Sequence, residues 1–240
     1  MNKTIIANFK MNKSLEECNE YIDNFFNYGI ADDKRVVICP PDFAVDNYAK
    51  AFETKLNVYV GAQDCSTENN GSFTGELSAS MIKSTGAKYV IVGHSERRIK
   101  LNETDKTVNQ KAIRAVNAGL IPIICIGERL EEISKKKTVL SRQLTAGLKK
   151  LDVSRIIVAY EPIWAIGTGR TCEVKDIKET HTYIKDKVMK IAGIVPEVVY
   201  GGSVKPTNAH DILSLDEVDG VLVGGASLDP RSFYAIITSV

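Results

Sequence analysis

Residues 155–169 read Arg155-Ile-Ile-Val-Ala-Tyr160 and then Glu161-Pro-Ile-Trp-Ala-Ile-Gly-Thr-Gly169. The apolar run predicts a buried strand that carries Glu161 at its C-terminal end. The segment after Glu161 begins with a stiff proline, ends with two permissive glycines and holds the only tryptophan of the chain. We expect this segment to form a hinged lid over a site that contains Glu161. The alternative is an ordinary loop whose tryptophan packs on a neighbouring helix.

Seven other runs of β-branched or apolar residues are similar to the run before Glu161. Each is continuously hydrophobic rather than alternating, as expected for strands that are covered on both faces in a parallel sheet. In chain order the eight predicted strands are Thr4–Phe9, Val36–Cys39, Val58–Gly61, Tyr89–Val92, Ile121–Ile126, Ile156–Tyr160, Val198–Tyr200 and Val221–Val223.

Amphipathic segments of helix length separate these strands, so the pattern is a repeated β-α unit. Examples are Ser14–Phe26, Lys106–Ala118, Thr138–Lys150 and Val174–Ile191. Ser14 followed by Glu17 predicts a capping box at the first helix. No linker or change in composition divides the chain, so we predict an α/β protein with a single domain over residues 1–240. Eight units of this size fit a closed (β/α)8 barrel, and an open doubly wound sheet is the alternative.

Composition excludes several classes of function. The chain has 240 residues, of which 44% are hydrophobic and 25% charged, and these values are ordinary for a globular enzyme. A net charge of +1 gives no electrostatic reason to expect a nucleic-acid or membrane partner. The five cysteines are scattered without a C-x-x-C motif, and the three histidines are far apart. We therefore expect no disulfide framework, no metal and a cytoplasmic location.

Polar or glycine-rich residues follow five of the predicted strands, at the end where α/β folds place their sites. Taken alone, each has an ordinary structural explanation, such as a surface lysine, a core histidine or a turn. Five such endings on one face of a barrel are harder to explain by structure alone. They are Asn8-Phe9-Lys10, Gly93-His94-Ser95-Glu96-Arg97-Arg98, Glu161, Gly201-Gly202-Ser203 and Gly224-Gly225.

The glycine-rich endings indicate an anionic ligand. Exposed backbone N–H groups at Gly201-Gly202-Ser203 and Gly224-Gly225 would form an anion-binding nest, and barrels commonly bind phosphate after strands seven and eight. A dinucleotide fingerprint does not fit, because neither Gly167-Thr168-Gly169 nor Gly201-Gly202 matches G-x-G-x-x-G. We infer a small phosphorylated substrate.

The remaining endings indicate acid-base chemistry. A carboxylate, a histidine and an ammonium group around one small substrate suit proton abstraction next to a carbonyl. Ser95 is a suitable N-cap residue, and the positive end of a short helix there would keep His94 uncharged. Lys10 would supply positive charge where an oxyanion develops. A Schiff-base aldolase is the nearest enzymatic alternative, although the sixth strand offers Glu161 and no lysine.

Eight segments together resemble the triosephosphate isomerase family over essentially the whole chain. They occur in order on successive strand ends, so the combined pattern is very specific. The matching segments are Asn8-Phe-Lys-Met-Asn12, Gly61-Ala-Gln63, Phe73-Thr-Gly-Glu76, His94-Ser-Glu-Arg-Arg98, Cys125-Ile-Gly-Glu128, Tyr160-Glu-Pro-Ile-Trp-Ala-Ile-Gly-Thr-Gly169, Tyr200-Gly-Gly-Ser-Val204 and Leu222-Val-Gly-Gly-Ala-Ser227.

The resemblance implies interconversion of dihydroxyacetone phosphate and D-glyceraldehyde 3-phosphate in glycolysis and gluconeogenesis, without a cofactor. A glutamate base, a neutral histidine and a closing loop are established in this family. The catalytic residues would be Glu161, His94, Lys10 and Asn8. The substrate or phosphate would be bound by Asn8, Phe9, Lys10, Gly167, Ser203, Gly224 and Gly225. Glu96 would be a structural partner for Lys10 or for an arginine.

A long polar loop at residues 64–78 carries the turn signal Asn70-Gly71, followed by the apolar Phe73. The resemblance implies that this loop inserts into a partner subunit of a homodimer, where Thr74 supports the partner site. The alternative is a mobile surface loop.

The chain departs from the family at Arg170-Thr171-Cys172, where Lys-Thr-Ala is common. This difference leaves the catalytic residues unchanged, and it bears on the kinetics of the lid and on the reactivity of Cys172. A non-enzymatic phosphate-binding barrel is the alternative to an enzyme.

Overall fold

The computed structural model describes residues 3–29, 33–166 and 172–240. Eight parallel strands follow one another around a closed barrel, and the first is hydrogen-bonded to both the second and the eighth. The closed barrel predicted from the sequence is therefore confirmed, and the open doubly wound sheet is excluded.

The strand bounds lie within two residues of the predicted runs. Residues of the strands are buried almost throughout, as the continuous hydrophobic patterns predicted. The strands are β1 (Lys3–Asn8), β2 (Lys34–Cys39), β3 (Val58–Ala62), β4 (Tyr89–Val92), β5 (Ile121–Ile126), β6 (Ile157–Tyr160), β7 (Glu197–Tyr200) and β8 (Gly220–Val223).

Helices surround the barrel, and the predicted capping box is present at the first of them. The Ser14 hydroxyl accepts from the Glu17 N–H at 3.2 Å, and the Glu17 carboxylate accepts from the Ser14 N–H at 2.7 Å. The helices of the described residues are α1 (Leu15–Phe26), α2 (Val45–Phe52), α3 (Ala79–Ser84), α4 (Ser95–Lys100), α5 (Asp105–Asn117), α6 (Lys136–Gly147), α7 (Val174–Ala192), α8 (Pro206–Leu213) and α9 (Pro230–Ile237).

The prediction for α6 was wrong at its C-terminal end. The helix ends at Gly147 rather than at Lys150, and Lys150 adopts a left-handed φ of 61° that no α-helix can contain. The apolar pattern predicts helix in this segment because Leu148 and Leu151 contact the core, although both lie beyond the end of the helix. Periodicity reports burial, and a buried turn can carry the same pattern.

Two layers of core hold the strands in place. Strand residues that point inward, including Ile91, Ile123 and Leu222, form one cluster inside the barrel. A larger cluster fills the space between strands and helices. All five cysteines are buried and unpaired, and Cys39 and Cys125 belong to the cluster inside the barrel. No helix within the described residues is long and apolar enough to cross a membrane.

His181 on α7 is fully buried against β6 and β7. Its ring lies 6.0 Å from that of Tyr160 and 6.4 Å from that of Tyr200, measured between ring centroids. Burial lowers the pKa of His181 to about 3, and the Lys185 ammonium acts in the same direction. The folded protein therefore holds this imidazole without charge.

This burial predicts an acid-sensitive fold. The unfolded chain protonates His181 below about pH 6.5, while the folded protein does not. Above that pH this residue therefore takes nothing from the free energy of unfolding. It should fall as the pH drops towards 3, by up to about 1.4 kcal/mol per pH unit for this residue. Between pH 7 and pH 5, His181→Gln should lose less free energy of unfolding than the parent, as measured by urea unfolding at both pH values. His210→Gln, at an exposed histidine, is the control, and equal losses in all three proteins would contradict the prediction.

Candidate active site

A cavity of about 580 Å³ opens at the C-terminal ends of the strands. All five predicted strand endings contribute to its lining, so the structure brings them together as the sequence predicted. Residues from these endings that line the cavity are Asn8, Lys10, His94, Glu161, Gly201, Gly202, Ser203, Gly224 and Gly225.

Glu161 follows β6 and is held by its backbone and by its carboxylate. Its N–H donates to the Ile126 carbonyl at 2.7 Å, which continues the pairing of β5 and β6 by one residue. One carboxylate oxygen, Oε2, accepts from the Ser95 N–H at 2.9 Å, and the other, Oε1, lies 3.0 Å from His94 Nε2. Only 1% of Glu161 is exposed, so a charged group is presented to the cavity from a nearly dry position.

His94 is buried at the start of α4, where backbone geometry fixes its ring. The Glu96 N–H donates to Nδ1 at 3.3 Å, which requires that nitrogen to carry no proton and leaves Nε2 as the protonated nitrogen of a neutral ring. Burial lowers the pKa of His94, but the nearby Glu161 carboxylate outweighs burial and raises it overall. Displacement of Glu161 towards a substrate would remove much of that effect and favour the neutral ring.

The predicted cap of this helix was wrong by one residue. His94 itself is the N-cap of α4, and Ser95 is the first helical residue. The Ser95 N–H therefore points out of the helix end and is available to bind the Glu161 carboxylate. The predicted helix terminus beside His94 is present, but it acts on Glu161 as well.

Lys10 is held at three points in a strained conformation. Its φ of 54° is left-handed, which costs a non-glycine residue about 1–2 kcal/mol. The Asn8 side chain accepts from the Lys10 N–H at 3.0 Å, and the Gln63 amide donates to the Lys10 carbonyl at 2.9 Å. Lys10 Nζ donates to Glu96 at 2.8 Å, so the expected pairing of Glu96 with Lys10 is confirmed. Burial would raise the pKa of Glu96, but the Lys10 ammonium outweighs it and lowers that pKa.

The glycines after β7 and β8 allow close approach to the cavity. A Cβ atom at Gly201 would lie 3.0 Å from Cγ of Glu161, and one at Gly202 would overlap the Tyr200 hydroxyl. A Cβ atom at Gly224 would lie 3.3 Å from Cε of Lys10. Close packing therefore requires glycine at these positions, and the glycines line the cavity beside both Glu161 and Lys10.

Comparison with known proteins agrees with this geometry. The family model described as triosephosphate isomerase matches residues 3–240. The chain belongs to the triosephosphate isomerase family. A triosephosphate isomerase of Mycoplasmopsis pulmonis is 44% identical over 98% of this chain and 96% of its own length, and one of Prochlorococcus marinus strain MIT 9312 is 43% identical over 98% of both. The crystal structure of the Bartonella henselae enzyme superposes with a TM-score of 0.86, at 36% identity, over 100% of this chain and 99% of that one.

Three residues expected at the site by resemblance to the family lie elsewhere or outside the described part. The Phe9 ring does not line the cavity: it is fully buried and packs edge-on against Tyr21 at 4.7 Å between centroids. Thr74 is exposed in the 64–78 loop and also does not line the cavity of its own chain. Gly167 falls within residues 167–171, outside the described residues, as do most of the glycine-rich end of the predicted lid and the Arg170-Thr171 difference from the family.

Sequence reasoning gave no role to Glu128, which anchors the start of the predicted lid. Its fully buried carboxylate accepts from the Tyr160 hydroxyl at 3.0 Å and from the Trp164 indole N–H at 2.9 Å. The Glu128 carbonyl accepts from the Ile163 N–H at 3.1 Å. Burial raises the pKa of Glu128, although these donors counter it. The Trp164 indole is thus hydrogen-bonded to a side chain after β5, and its ring packs against the core between the strands and the helices. The carboxylate that follows the apolar β5 run was the available signal.

Cys172, at the far end of the predicted lid, is buried, and burial raises its pKa to about 12. A thiol of this kind is a poor nucleophile in the described conformation. Within the described residues, no group of three or more histidine, cysteine, aspartate or glutamate side chains is arranged to hold a metal ion.

The position of Glu161 depends on a glycine in the neighbouring strand ending. A Cβ atom at Gly127 would overlap the Glu161 carbonyl oxygen, and Gln143 holds Gly127 through both its N–H and its carbonyl. Neither segment can therefore move aside without breaking the β5–β6 connection. Gly147 on α6 is different, since a Cβ atom there would meet nothing within 4 Å.

We expect Gly127→Ala to displace Glu161 and to lower the turnover of triose phosphates by at least about 100-fold, the usual cost of a misplacement near 1 Å. Gly147→Ala is the matched control and should keep full activity, with a gain in stability of about 0.5–1 kcal/mol. Circular dichroism establishes that both variants are folded, and steady-state kinetics compares them. Normal turnover by folded Gly127→Ala would contradict this view of Glu161.

Proposed function

We propose that the protein interconverts dihydroxyacetone phosphate and D-glyceraldehyde 3-phosphate by proton transfer through an enediolate. The observation that carries the proposal is the contact between the Glu161 carboxylate and His94 Nε2 at 3.0 Å, in a cavity that also contains Lys10 and the glycine segments. A base, a neutral hydrogen-bond donor, a cation and an anion cradle are the groups that this reaction requires.

Glu161 is the base in this mechanism. Its carboxylate must leave the Ser95 N–H to reach the substrate, and it then removes a proton from the carbon next to the carbonyl. Negative charge develops on the carbonyl oxygen as the carbon loses its proton. When Glu161 returns the proton to the neighbouring carbon, the ketose and the aldose interconvert without any other reactant.

His94 and Lys10 stabilise the enediolate. Neutral His94 directs the Nε2 proton towards the two substrate oxygens, and it can donate that proton to one oxygen and recover one from the other. Lys10 and the Asn8 amide line the same cavity and would face the same charge. The Glu96 carboxylate lies beside both Lys10 and His94. The nearly dry surroundings strengthen these interactions, because little water is available to screen them.

The phosphate group is held by the backbone of the glycine segments after β7 and β8. Ser203, Gly224 and Gly225 line this part of the cavity, and we assign a further N–H to Gly167 on the strength of the family resemblance. The reaction belongs to the cytoplasm on this proposal, within one barrel domain. The alternatives are a Schiff-base aldolase, for which Lys10 would have to leave Glu96 and act as a free amine, and a barrel that only binds phosphate.

The assignment of Glu161 predicts a large loss on its neutralisation. Glu161→Gln should lower kcat by about 10²–10⁴-fold, because a general base contributes roughly that factor. Glu131→Gln, at an exposed glutamate outside the cavity, is the matched control and should match the parent. The measurement is a coupled assay with glyceraldehyde 3-phosphate. Turnover of Glu161→Gln near that of the parent would remove Glu161 from the role of base, and no turnover by the parent would leave the binding-only alternative.

We also propose a homodimer formed through the 64–78 loop. Apolar side chains on the loops after the first three strands are exposed: Met11 is 97% exposed, Phe43 60% and Phe73 49%. Strands β1, β2 and β3 are neighbours, so these loops lie on one side of the barrel. The base of the 64–78 loop is fixed by Asp64, which pairs with Lys111 at 2.6 Å and with Arg97 at 2.7 Å.

Replacement of residues 68–73 by a short Gly-Ser turn should yield a folded monomer with poor activity. The loop would lose Phe73 and could no longer carry Thr74 into a neighbouring site. Leu56→Ser, at a residue 80% exposed near the opposite end of the barrel, is the control and should remain dimeric. Analytical ultracentrifugation measures the change. A replacement variant that stays dimeric, or a monomer with full activity, would overturn the role given to the loop.

A further inference from the structure

The active-site cavity extends beyond the groups that the reaction uses. Its outer wall is formed by residues after β7 and β8, including Lys205, Thr207 and Ser232. A triose phosphate has about ten heavy atoms, and each takes somewhat less than the roughly 30 Å³ that one water molecule occupies in the liquid. The whole molecule therefore fills on the order of 200 Å³. The cavity is about 580 Å³, so its outer part can receive a ligand that has not yet reached the inner groups.

Lys205, Thr207 and Ser232 offer side-chain donors towards this outer part. Lys205 is exposed at the N-cap of α8, and within residues 3–29, 33–166 and 172–240 no carboxylate forms an ion pair with its ammonium group. In the same part of the chain, the hydroxyls of Thr207 and Ser232 donate to no protein group. Three donors without protein acceptors on one cavity wall are the arrangement that an anionic group requires.

The charge balance of the inner cavity shows why such a position is useful. Glu96 neutralises Lys10 through their contact at 2.8 Å, and the Glu161 carboxylate then leaves the inner groups with one net negative charge when His94 is neutral. A phosphate monoester carries close to two negative charges at neutral pH. The inner groups therefore supply no net positive charge to attract the substrate at long range, and Lys205 is the remaining positive charge among the described residues that line the cavity.

We propose that Lys205, with the hydroxyls of Thr207 and Ser232, forms an outer phosphate position that binds the substrate phosphate before it enters the glycine cradle. This inference rests on the proposed function for its substrate, but the position itself recognises any small phosphate monoester. Lys205 makes no contact with the reacting carbons. It therefore acts on capture of the substrate and leaves the proton transfer steps unchanged.

A ligand that cannot react provides the direct test. Glycerol 3-phosphate has the size and charge of the substrate but no carbonyl, so calorimetric titration measures its binding whether or not the protein is an isomerase. For Lys205→Gln we expect the dissociation constant to rise about threefold at about 0.01 M ionic strength, as for one charge about 10 Å from a dianion in water. At about 0.3 M salt the difference should nearly vanish, because the screening length falls below about 8 Å.

Matched variants separate this position from a general effect of net charge. Lys190→Gln removes the same charge from an exposed site near the C-terminus of α7, at the opposite end of the barrel, and should bind like the parent. Lys205→Arg should also bind like the parent. Combined Thr207→Val and Ser232→Ala should leave the dissociation constant of the cradle-bound ligand unchanged and should lower kcat/KM about two- to threefold at both salt concentrations, since neutral hydrogen bonds are little screened.

Steady-state kinetics adds a second readout. Lys205→Gln should lower kcat/KM about threefold at low salt and leave kcat unchanged, which a structural defect would not do. Equal dissociation constants for Lys205→Gln and the parent at low salt would overturn the proposal, as would an equal loss in Lys190→Gln. An unchanged kcat/KM in the Thr207 and Ser232 double variant would overturn the part given to the hydroxyls. If the parent shows no turnover while the dissociation constants of the parent and of Lys205→Gln still differ, the result would count against the proposed function alone.

Discussion

Hydrogen bonding between the first and last strands decides where the groups of the candidate site lie. β1 pairs with β8 from Thr4 with Gly220 to Ala7 with Val223, and a Cβ atom at Gly220 would overlap the Thr4 carbonyl. This pairing closes the barrel and places the ending of β1 beside the ending of β8. Lys10 therefore lies next to Gly224, so that a cation and an anion cradle from opposite ends of the chain face one cavity. A sheet with the same strand order but without this pairing would leave them at opposite edges.

Backbone groups then set the charges of the site. The Ser95 N–H holds the Glu161 carboxylate, and the Glu96 N–H keeps the proton off His94 Nδ1. Both donors come from the first residues of α4, where N–H groups have no partner within the helix. Such fixed dipoles need no rearrangement when charge develops, unlike water. The hydrogen bond from the Ser95 N–H also holds the Glu161 carboxylate away from a substrate, so substrate binding must supply the free energy that breaks this hydrogen bond.

The sequence predicted the fold well because burial on both faces leaves a direct record in the chain. The continuous apolar runs of β4 and β5 were predicted to the residue, since β-branched residues fill both layers of the core. Glu161 and His94 were found for a related reason: a charged or polar residue directly after such a run must lie at the rim of the barrel.

Side-chain direction and partners could not be predicted in the same way. Phe9 lies between two cavity residues in sequence, yet its ring packs into the outer core, because alternate residues near a strand end face opposite sides. The roles of Gln63 and Glu128 depend on contacts with segments far away in the chain. No local pattern encodes such contacts. The cap at His94 was missed because serine is the usual N-cap residue, whereas an imidazole nitrogen takes that role here.

Proton transfer through an enediolate is tested most directly by isomerisation in D2O. A proton removed by the Glu161 carboxylate can exchange with solvent before it returns to carbon. Glyceraldehyde 3-phosphate incubated with the protein should therefore give dihydroxyacetone phosphate that carries deuterium on carbon 1, as detected by proton NMR. Glu161→Gln should lose this incorporation together with its turnover, and deuterium incorporation by Glu161→Gln at the rate of the parent would contradict a mechanism based on Glu161.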